Sequence, residues 1–156
     1  MNKRNTLYVA YGSNLNLAQM AKRCPTAKVV GASELVGKRL LFRGARGGAV
    51  ATVEPYEGGR VPVLVWEITP ADEAALDRYE GFPFLYRKEK VEVELDGKPV
   101  SAMVYIMNEE VPVGCYRPLG QPSVYYYSVI LEGDRDADFD ADLLRQATAD
   151  SVEEDG

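Results

Sequence analysis

The sequence of 156 residues predicts a single domain of the α+β class. Apolar runs typical of strands occur along the chain together with segments that have the start and stop signals of helices. Two strand runs, at residues 86–95 and 98–107, flank Asp96-Gly97, the preferred sequence of a two-residue hairpin turn. With 46% hydrophobic residues, the chain can bury a sizeable core. We expect the domain to span residues 1–150 and residues 151–156 to form an acidic tail.

Composition restricts the classes of partner and compartment. The net charge is −6 and the basic residues are dispersed, which argues against a nucleic-acid-binding surface. No apolar run approaches the ~18 residues of a membrane span, and the N-terminal residues do not resemble a signal peptide. We therefore expect a cytoplasmic protein that does not bind membranes. The two cysteines, Cys24 and Cys115, do not have the spacing of a disulfide framework.

Histidine is absent from the sequence. This excludes Ser-His-Asp and Cys-His catalysis and any zinc site that contains histidine. Acid–base catalysis near neutral pH would then use Lys, Tyr, Cys or a carboxylate whose pKa is raised. A candidate active site should therefore contain a glutamate or an aspartate in an unusual environment.

The first strand run ends abruptly at Gly12-Ser13-Asn14, and residues 15–22 have the pattern of a helix. Ser13 or Asn14 is suited to cap this helix, because either side chain can accept a hydrogen bond from an N–H of the first turn. A strand, a glycine and a helix N-terminus in succession bring several N–H groups into one small space, which suits an anion or a developing negative charge. The same pattern is also typical of an ordinary tight connection between a strand and a helix.

The middle of the chain is predicted to be strands with glycine-rich connections. In order, these are an extended run at 27–42 broken at Gly31 and Gly37, a flexible connection at 44–48, and strands at 49–54 and 61–68 separated by 55–59. The connection at 44–48 lacks the Lys-Ser/Thr ending of a phosphate-binding loop. The run at 61–68 is apolar on both faces, so we expect it to be a central strand.

A helix over residues 71–80 has strong boundary signals. Thr69 is a preferred N-cap residue, Pro70 suits the first helical position, and Gly81 is a natural stop. Glu80 fits this helix badly, because its charge lies at the negative end of the helix dipole. It is either a tolerated surface glutamate or, beside the apolar segment 82–85, a carboxylate that titrates at high pH and acts as a general base.

The C-terminal third begins with the loop 108–121, which follows the hairpin and either covers a site or is an ordinary surface loop. Local propensity over 123–133 is ambiguous, because Val, Ile and Tyr favour strands, but Ser123 as a cap and Gly133 as a stop favour a helix. The last helix is predicted over 138–147, and its apolar face comprises Phe139, Leu143 and Leu144. We expect the acidic residues of 134–150 to form a solvated helix face.

Three segments resemble signatures of the γ-glutamylcyclotransferase-like family. Residues 11–15, Tyr-Gly-Ser-Asn-Leu, follow the first strand as the family's signature does. Residues 76–81, Leu-Asp-Arg-Tyr-Glu-Gly, resemble the helix end that carries the family's catalytic glutamate. Pro122-Ser123 with Tyr126 resembles the start of a C-terminal helix in the family, and Tyr86 resembles a tyrosine that often follows the glutamate.

The resemblance extends from about residue 6 to about residue 133. Beyond it the sequences differ, because this chain has Gly133-Asp134 where the family commonly has Gly-Ala.

The resemblance implies a small mixed β-barrel with surrounding helices and a small-molecule γ-glutamyl substrate. The α-amine of that substrate would attack its own γ-carbonyl, close 5-oxoproline and release an amine, without a metal or cofactor. The implied site residues are Glu80 as general acid and base, the backbone N–H groups around Gly12, Ser13, Asn14 and Leu15 as donors, and Tyr11, Tyr86 and Tyr126 as walls. The alternative is a non-catalytic module of the same fold that binds a small carboxylate or a peptide.

Overall fold

A computed structural model describes residues 4–44, 47–108 and 118–152. The strands are β1 (Thr6–Ala10), β2 (Lys28–Arg43), β3 (Val50–Ile68), β4 (Tyr86–Leu95) and β5 (Lys98–Met107). The helices are a 3-10 turn (Ser13–Leu15), α1 (Leu17–Arg23), α2 (Pro70–Glu80), α3 (Val124–Asp136) and α4 (Ala141–Asp150). The predicted α+β class is confirmed.

The five strands form one mixed sheet in the order β2-β3-β1-β5-β4. The short β1 lies in the middle, antiparallel to β3 and parallel to β5, so that Tyr8 is opposite both Trp66 and Met103. The sheet curls until its edge strands approach each other, and Ser33 Oγ donates a 2.6 Å hydrogen bond to the carbonyl of Glu94. Within the described residues no ladder joins β2 to β4, so the sheet is barrel-like without closing fully.

β3 is one long strand rather than the two predicted at 49–54 and 61–68. The predicted interruption is present as a bulge: the register moves from Val36 opposite Arg60 to Lys38 opposite Pro55. A Cβ atom at Gly59 would lie 2.2 Å from the carbonyl oxygen of Lys38, so only glycine fits there. The breaks predicted at Gly31 and Gly37 are confirmed as register shifts in β2, and β3 is paired on both sides as expected for a central strand.

Local signals placed the hairpin and α2 correctly. The positive φ angles of Asp96 (51°) and Gly97 (77°) are those that a type I′ turn requires. The Thr69 side chain accepts from the N–H of Asp72, whose carboxylate accepts from the N–H of Thr69, and this capping box starts α2. Gly81 ends the helix in the left-handed conformation, with φ of 66°.

The predicted cap of the first helix was wrong. Asn16, rather than Ser13 or Asn14, caps α1 by accepting from the N–H of Gln19 at 3.0 Å. The 3-10 turn lies between β1 and α1, and the side chains of Ser13 and Asn14 instead bond to tyrosine hydroxyls. The sequence pattern was misread because Asn14 and Asn16 are equally good cap residues.

Gly133 does not stop α3, which continues to Asp136. It is buried where α3 crosses the 3-10 turn, and a Cβ atom there would lie 2.6 Å from the carbonyl carbon of Leu15 and 2.8 Å from the nitrogen of Asn16. The glycine therefore permits a close approach of two backbones instead of ending a helix.

The last helix starts later than predicted, at Ala141, with Asp140 as its cap. Leu144 is buried as expected and Phe139, just before the helix, packs against the core, whereas Leu143 is 45% exposed. The expectation that the acidic residues of 134–150 are all solvated was wrong for Asp134, which is 5% exposed.

Several expectations concern residues outside the described part of the chain. These are Cys115, most of the loop 108–121 and part of the connection 44–48. The predicted limits of the domain (1–150) and of the tail (151–156) stay a prediction. Ser151, the first residue of the predicted tail, is fully buried, and its hydroxyl accepts a hydrogen bond from the N–H of Phe42. No helix in the described residues has the length and apolar character needed to cross a membrane.

We predict that Gly133→Ala destabilises the fold. In an open helix interior this change stabilises by roughly 0.5–1 kcal/mol, but here the methyl group overlaps the backbone of the 3-10 turn and should cost about 1–3 kcal/mol. Urea unfolding of the variant measures the change in the free energy of unfolding. Ser128→Ala, at an exposed position of the same helix, is the matched control and should change it by less than about 0.5 kcal/mol. A Gly133→Ala protein as stable as the parent would show that the approach of α3 to the turn is not restrictive.

Candidate active site

A cavity of about 260 Å³ opens where the 3-10 turn, the end of α2, the start of β3 and the start of α3 meet. It is lined by Tyr8, Tyr11, Gly12, Ser13, Asn14, Val50, Ala51, Tyr79, Glu80, Leu85, Tyr86, Tyr105 and Tyr126. The fold thus brings together the three segments singled out in the sequence, which lie far apart along the chain.

Seven of the eight predicted site residues line this cavity, and Leu15 does not. Leu15 is 1% exposed and packs beneath Gly133. Its N–H donates to the carbonyl of Gly12 at 3.0 Å inside the 3-10 turn and is therefore unavailable to a ligand. The N–H groups of Ser13 and Asn14, in contrast, have no acceptor in the described part of the chain.

Glu80 is the last residue of α2 and is half-buried at the cavity wall. Its carboxylate has no hydrogen bond and no ion pair with any described residue. Burial raises the pKa of Glu80 to about 7, and the positive charge of Arg23 offsets this only in part. A carboxylate with this pKa exchanges protons readily near neutral pH.

Gly12 brings the backbone close to the opposite wall. Its φ of −120° lies outside the left-handed region, and the space around it is restricted. A Cβ atom at Gly12 would lie 3.2 Å from Ala51 Cβ and 3.6 Å from the hydroxyl of Tyr126. A larger side chain would therefore occupy the cavity.

The tyrosine side chains are fixed by hydrogen bonds to the backbone. Tyr11 donates to the carbonyl of Tyr105 at 2.6 Å and Tyr86 donates to the carbonyl of Ala51 at 2.5 Å. The hydroxyl of Tyr126 accepts from the N–H of Ala51 at 3.1 Å. Burial, together with the nearby Glu80 charge, raises the pKa of Tyr11 and of Tyr86 well above the ordinary tyrosine value, so both remain protonated. These rings form rigid walls around Glu80.

The 3-10 turn is held by a second set of polar contacts. The hydroxyls of Ser13 and Tyr79 are 2.8 Å apart, and Asn14 donates to the hydroxyl of Tyr8 at 2.9 Å. Arg23 donates to the side-chain oxygen of Asn14 and stacks on Tyr79, with 3.5 Å from its guanidinium carbon to the ring centroid. The turn and the end of α2 are thereby joined.

Sequence reasoning missed several lining residues, namely Tyr8, Val50, Ala51, Tyr79, Leu85 and Tyr105, and it also missed Arg23 beside the cavity. Ala51 acts through its backbone, which no side-chain pattern reveals. For these residues the sequence offered one signal, namely that Tyr79 directly precedes Glu80 at the end of α2.

Glu80 is the only carboxylate that lines the cavity among the described residues. This part of the chain also holds no group of three or more Cys, Asp or Glu side chains suited to a metal ion.

A family model described as "Gamma-glutamyl cyclotransferase, AIG2-like" matches residues 8–126. A Bos taurus protein named gamma-glutamylcyclotransferase is 30% identical over 138 residues, which cover 81% of this chain and 69% of the bovine protein. Its Homo sapiens counterpart of the same name is 28% identical over 139 residues, with the same shares covered.

A solved structure titled "Gamma-glutamyl cyclotransferase" has the same fold, with a TM-score of 0.77 and 25% sequence identity. The superposition covers 97% of this chain and 90% of that chain. The family match spans the first two sequence signatures completely and ends at Tyr126, in the third. The chain belongs to the gamma-glutamyl cyclotransferase, AIG2-like family.

Proposed function

We propose that this protein is a γ-glutamylcyclotransferase, which converts a γ-glutamyl amide into 5-oxoproline and a free amine. The observation that carries the proposal is the position of Glu80, a carboxylate with a pKa of about 7 in a cavity whose other wall is the turn at Gly12. Membership of the family and the names of the bovine and human relatives support the same reaction. A site that only bound small carboxylates would gain nothing from a negative charge in its wall.

The reaction begins with a proton transfer. The α-amine of the substrate is an ammonium group at neutral pH and cannot attack a carbonyl until it loses a proton. The Glu80 carboxylate accepts this proton, and a base whose pKa lies near the working pH is well suited to do so. The amine nitrogen then attacks the γ-carbonyl carbon and closes the five-membered ring.

Ring closure places a negative charge on the γ-carbonyl oxygen. The N–H groups of Ser13 and Asn14 have no acceptor within the described residues and belong to a turn that lines the cavity. Donors of this kind stabilise a developing oxyanion without reorganising during the reaction. The N–H of Leu15 takes no part, because it already donates to Gly12.

Collapse of the intermediate completes the proton balance. The attacking nitrogen starts with three protons and keeps one in the lactam, so it loses two in all. The leaving nitrogen gains these two protons and departs as an ammonium ion when its bond to the γ-carbon breaks. Glu80 serves as the carrier for both transfers, first as general base and then as general acid. No water is consumed.

The tyrosine walls position the substrate. The γ-glutamyl chain is flexible and must fold back on itself before its amine reaches its own carbonyl. Tyr11, Tyr86 and Tyr126 are held by backbone hydrogen bonds, so they restrict the substrate without first having to become ordered themselves.

We predict that Glu80→Gln lowers kcat/KM by at least ~10²-fold, because the amide has nearly the same shape but cannot carry protons. Release of 5-oxoproline from a panel of γ-glutamyl compounds, detected by mass spectrometry, measures the rate. Glu92→Gln, at an exposed position of β4, is the control and should retain the parental rate. Near-parental turnover by Glu80→Gln would remove Glu80 from the mechanism.

The stability of Glu80→Gln should not fall. A carboxyl group whose pKa is raised in the folded state contributes stability below its unfolded pKa and loses that contribution as pH rises through about 7. Above pH 7 the parent therefore carries a buried charge that the variant lacks. Thermal melting at pH 8 should give the variant a Tm equal to or higher than that of the parent, with a smaller difference at pH 5.

We predict that kcat/KM of the parent falls as pH is lowered through about 7, because protonated Glu80 cannot act as a base. The substrate amine also titrates, and Glu80→Asp separates the two ionisations. The variant should shift the acid limb if the carboxyl group sets it and leave the limb in place if the amine does. Profiles that are flat from about pH 5 to pH 9 in both proteins would contradict the mechanism.

We predict that Gly12→Val abolishes ligand binding. Valine would project between Ala51 and Tyr126 into the cavity. Calorimetric titration with 5-oxoproline measures binding, and circular dichroism checks the fold. Undiminished affinity would mean that the turn at Gly12 is only a structural connection.

A further inference from the structure

A second cavity, of about 400 Å³, lies between the bulge of β2 and β3 and the helices α3 and α4. Its volume is in the range of small-molecule sites. Tyr11 lines both cavities, but Glu80 lines only the first. The bulge that forms one wall requires Gly59, which approaches the backbone of Lys38 too closely for any side chain. This wall is thus specified by the sequence.

Asp134 lines the second cavity and is 5% exposed. In residues 4–44, 47–108 and 118–152 nothing donates a hydrogen bond to its carboxylate and no cation forms an ion pair with it. Burial is the sole cause that raises the pKa of Asp134, to about 6, so the carboxylate is mainly ionised at neutral pH. A buried charge without a partner is costly to keep, and such groups concentrate at functional sites.

The opposite charge is present on another wall of the same cavity. Arg39 stacks on Tyr56, with 4.7 Å from its guanidinium carbon to the ring centroid, but its buried Nε has no acceptor among the described residues. Lys38 beside it forms no ion pair in that part of the chain. The remaining charged groups of the cavity are already engaged, since Arg60 pairs with Glu34 and Asp150 accepts from Gln146.

Asp134 and Arg39 do not pair with each other, although both line the cavity. Apolar side chains, among them Val61, Ile130 and Leu144, form part of the wall around them. A ligand that satisfies both charges must carry a positive group for Asp134 and a negative group for Arg39.

We propose that this cavity is a second binding site, for a linear molecule with a primary amine at one end and a carboxylate at the other. Asp134 binds the ammonium group, Arg39 binds the carboxylate, and Val61, Ile130 and Leu144 contact the stem. The site is separate from the cyclotransferase reaction proposed above and does not depend on it.

Calorimetric titration of the full chain at pH 7 with 6-aminohexanoate tests the proposal, with hexylamine and hexanoate as probes that each lack one charge. The parent should bind 6-aminohexanoate saturably and each single-charge probe at least tenfold more weakly. Asp134→Asn should weaken binding of 6-aminohexanoate and hexylamine by at least tenfold and leave hexanoate unchanged. Arg39→Gln should weaken binding of 6-aminohexanoate and hexanoate by at least tenfold and leave binding of hexylamine unchanged.

Gly12→Val, which fills the first cavity, is the control and should bind 6-aminohexanoate as the parent does. Absence of saturable binding to the parent would overturn the proposal, as would unchanged affinity in Asp134→Asn. Loss of binding in Gly12→Val with Asp134→Asn unaffected would also overturn it, because the probe would then occupy the first cavity. Thermal melting of each variant ensures that only folded protein is compared.

Discussion

The carboxylate of Glu80 is half-buried at a helix end without a partner among the described residues, and the arrangement of the site follows from this constraint. Gly81 ends α2 in a left-handed turn, and Glu80, just before it, lines the cavity. The hydroxyls of Tyr11 and Tyr86 do not relieve the charge, because they donate to backbone carbonyls. In the proposed reaction, the ammonium group of the substrate compensates this charge.

Two sets of backbone contacts hold the cavity wall opposite Glu80 in place. The backbone of Ala51 accepts from Tyr86 and donates to Tyr126, so one residue of β3 orients two rings. The 3-10 turn is packed against α3 through Gly133, where a single added carbon would overlap the backbone. A site built on a strand and on backbone contacts is more rigid than one on free loops, and the proposed reaction requires such rigidity to position a flexible glutamyl chain.

Features specified by local sequence were predicted well. The hairpin at Asp96-Gly97, the capping box at Thr69 and the stop at Gly81 each depend on a few neighbouring residues, and each is present. Features set by tertiary contact were not: Gly133 has the sequence pattern of a helix stop, and only the crossing of α3 over the turn reveals its role. The same holds for the site, where Glu80 could be singled out by its chemistry but Ala51 could not.

The most direct test of this account is the titration of the Glu80 carboxyl group itself. Carbon-13 NMR of protein labelled at the glutamate side-chain carboxyl carbon, with the Glu80 signal assigned by its absence in Glu80→Gln, follows the ionisation without a substrate. We predict a midpoint of about 7, because the cavity desolvates the charge more than Arg23 stabilises it. A midpoint near the ordinary glutamate value of about 4.3 would contradict it, since Glu80 would then be a solvated surface carboxylate.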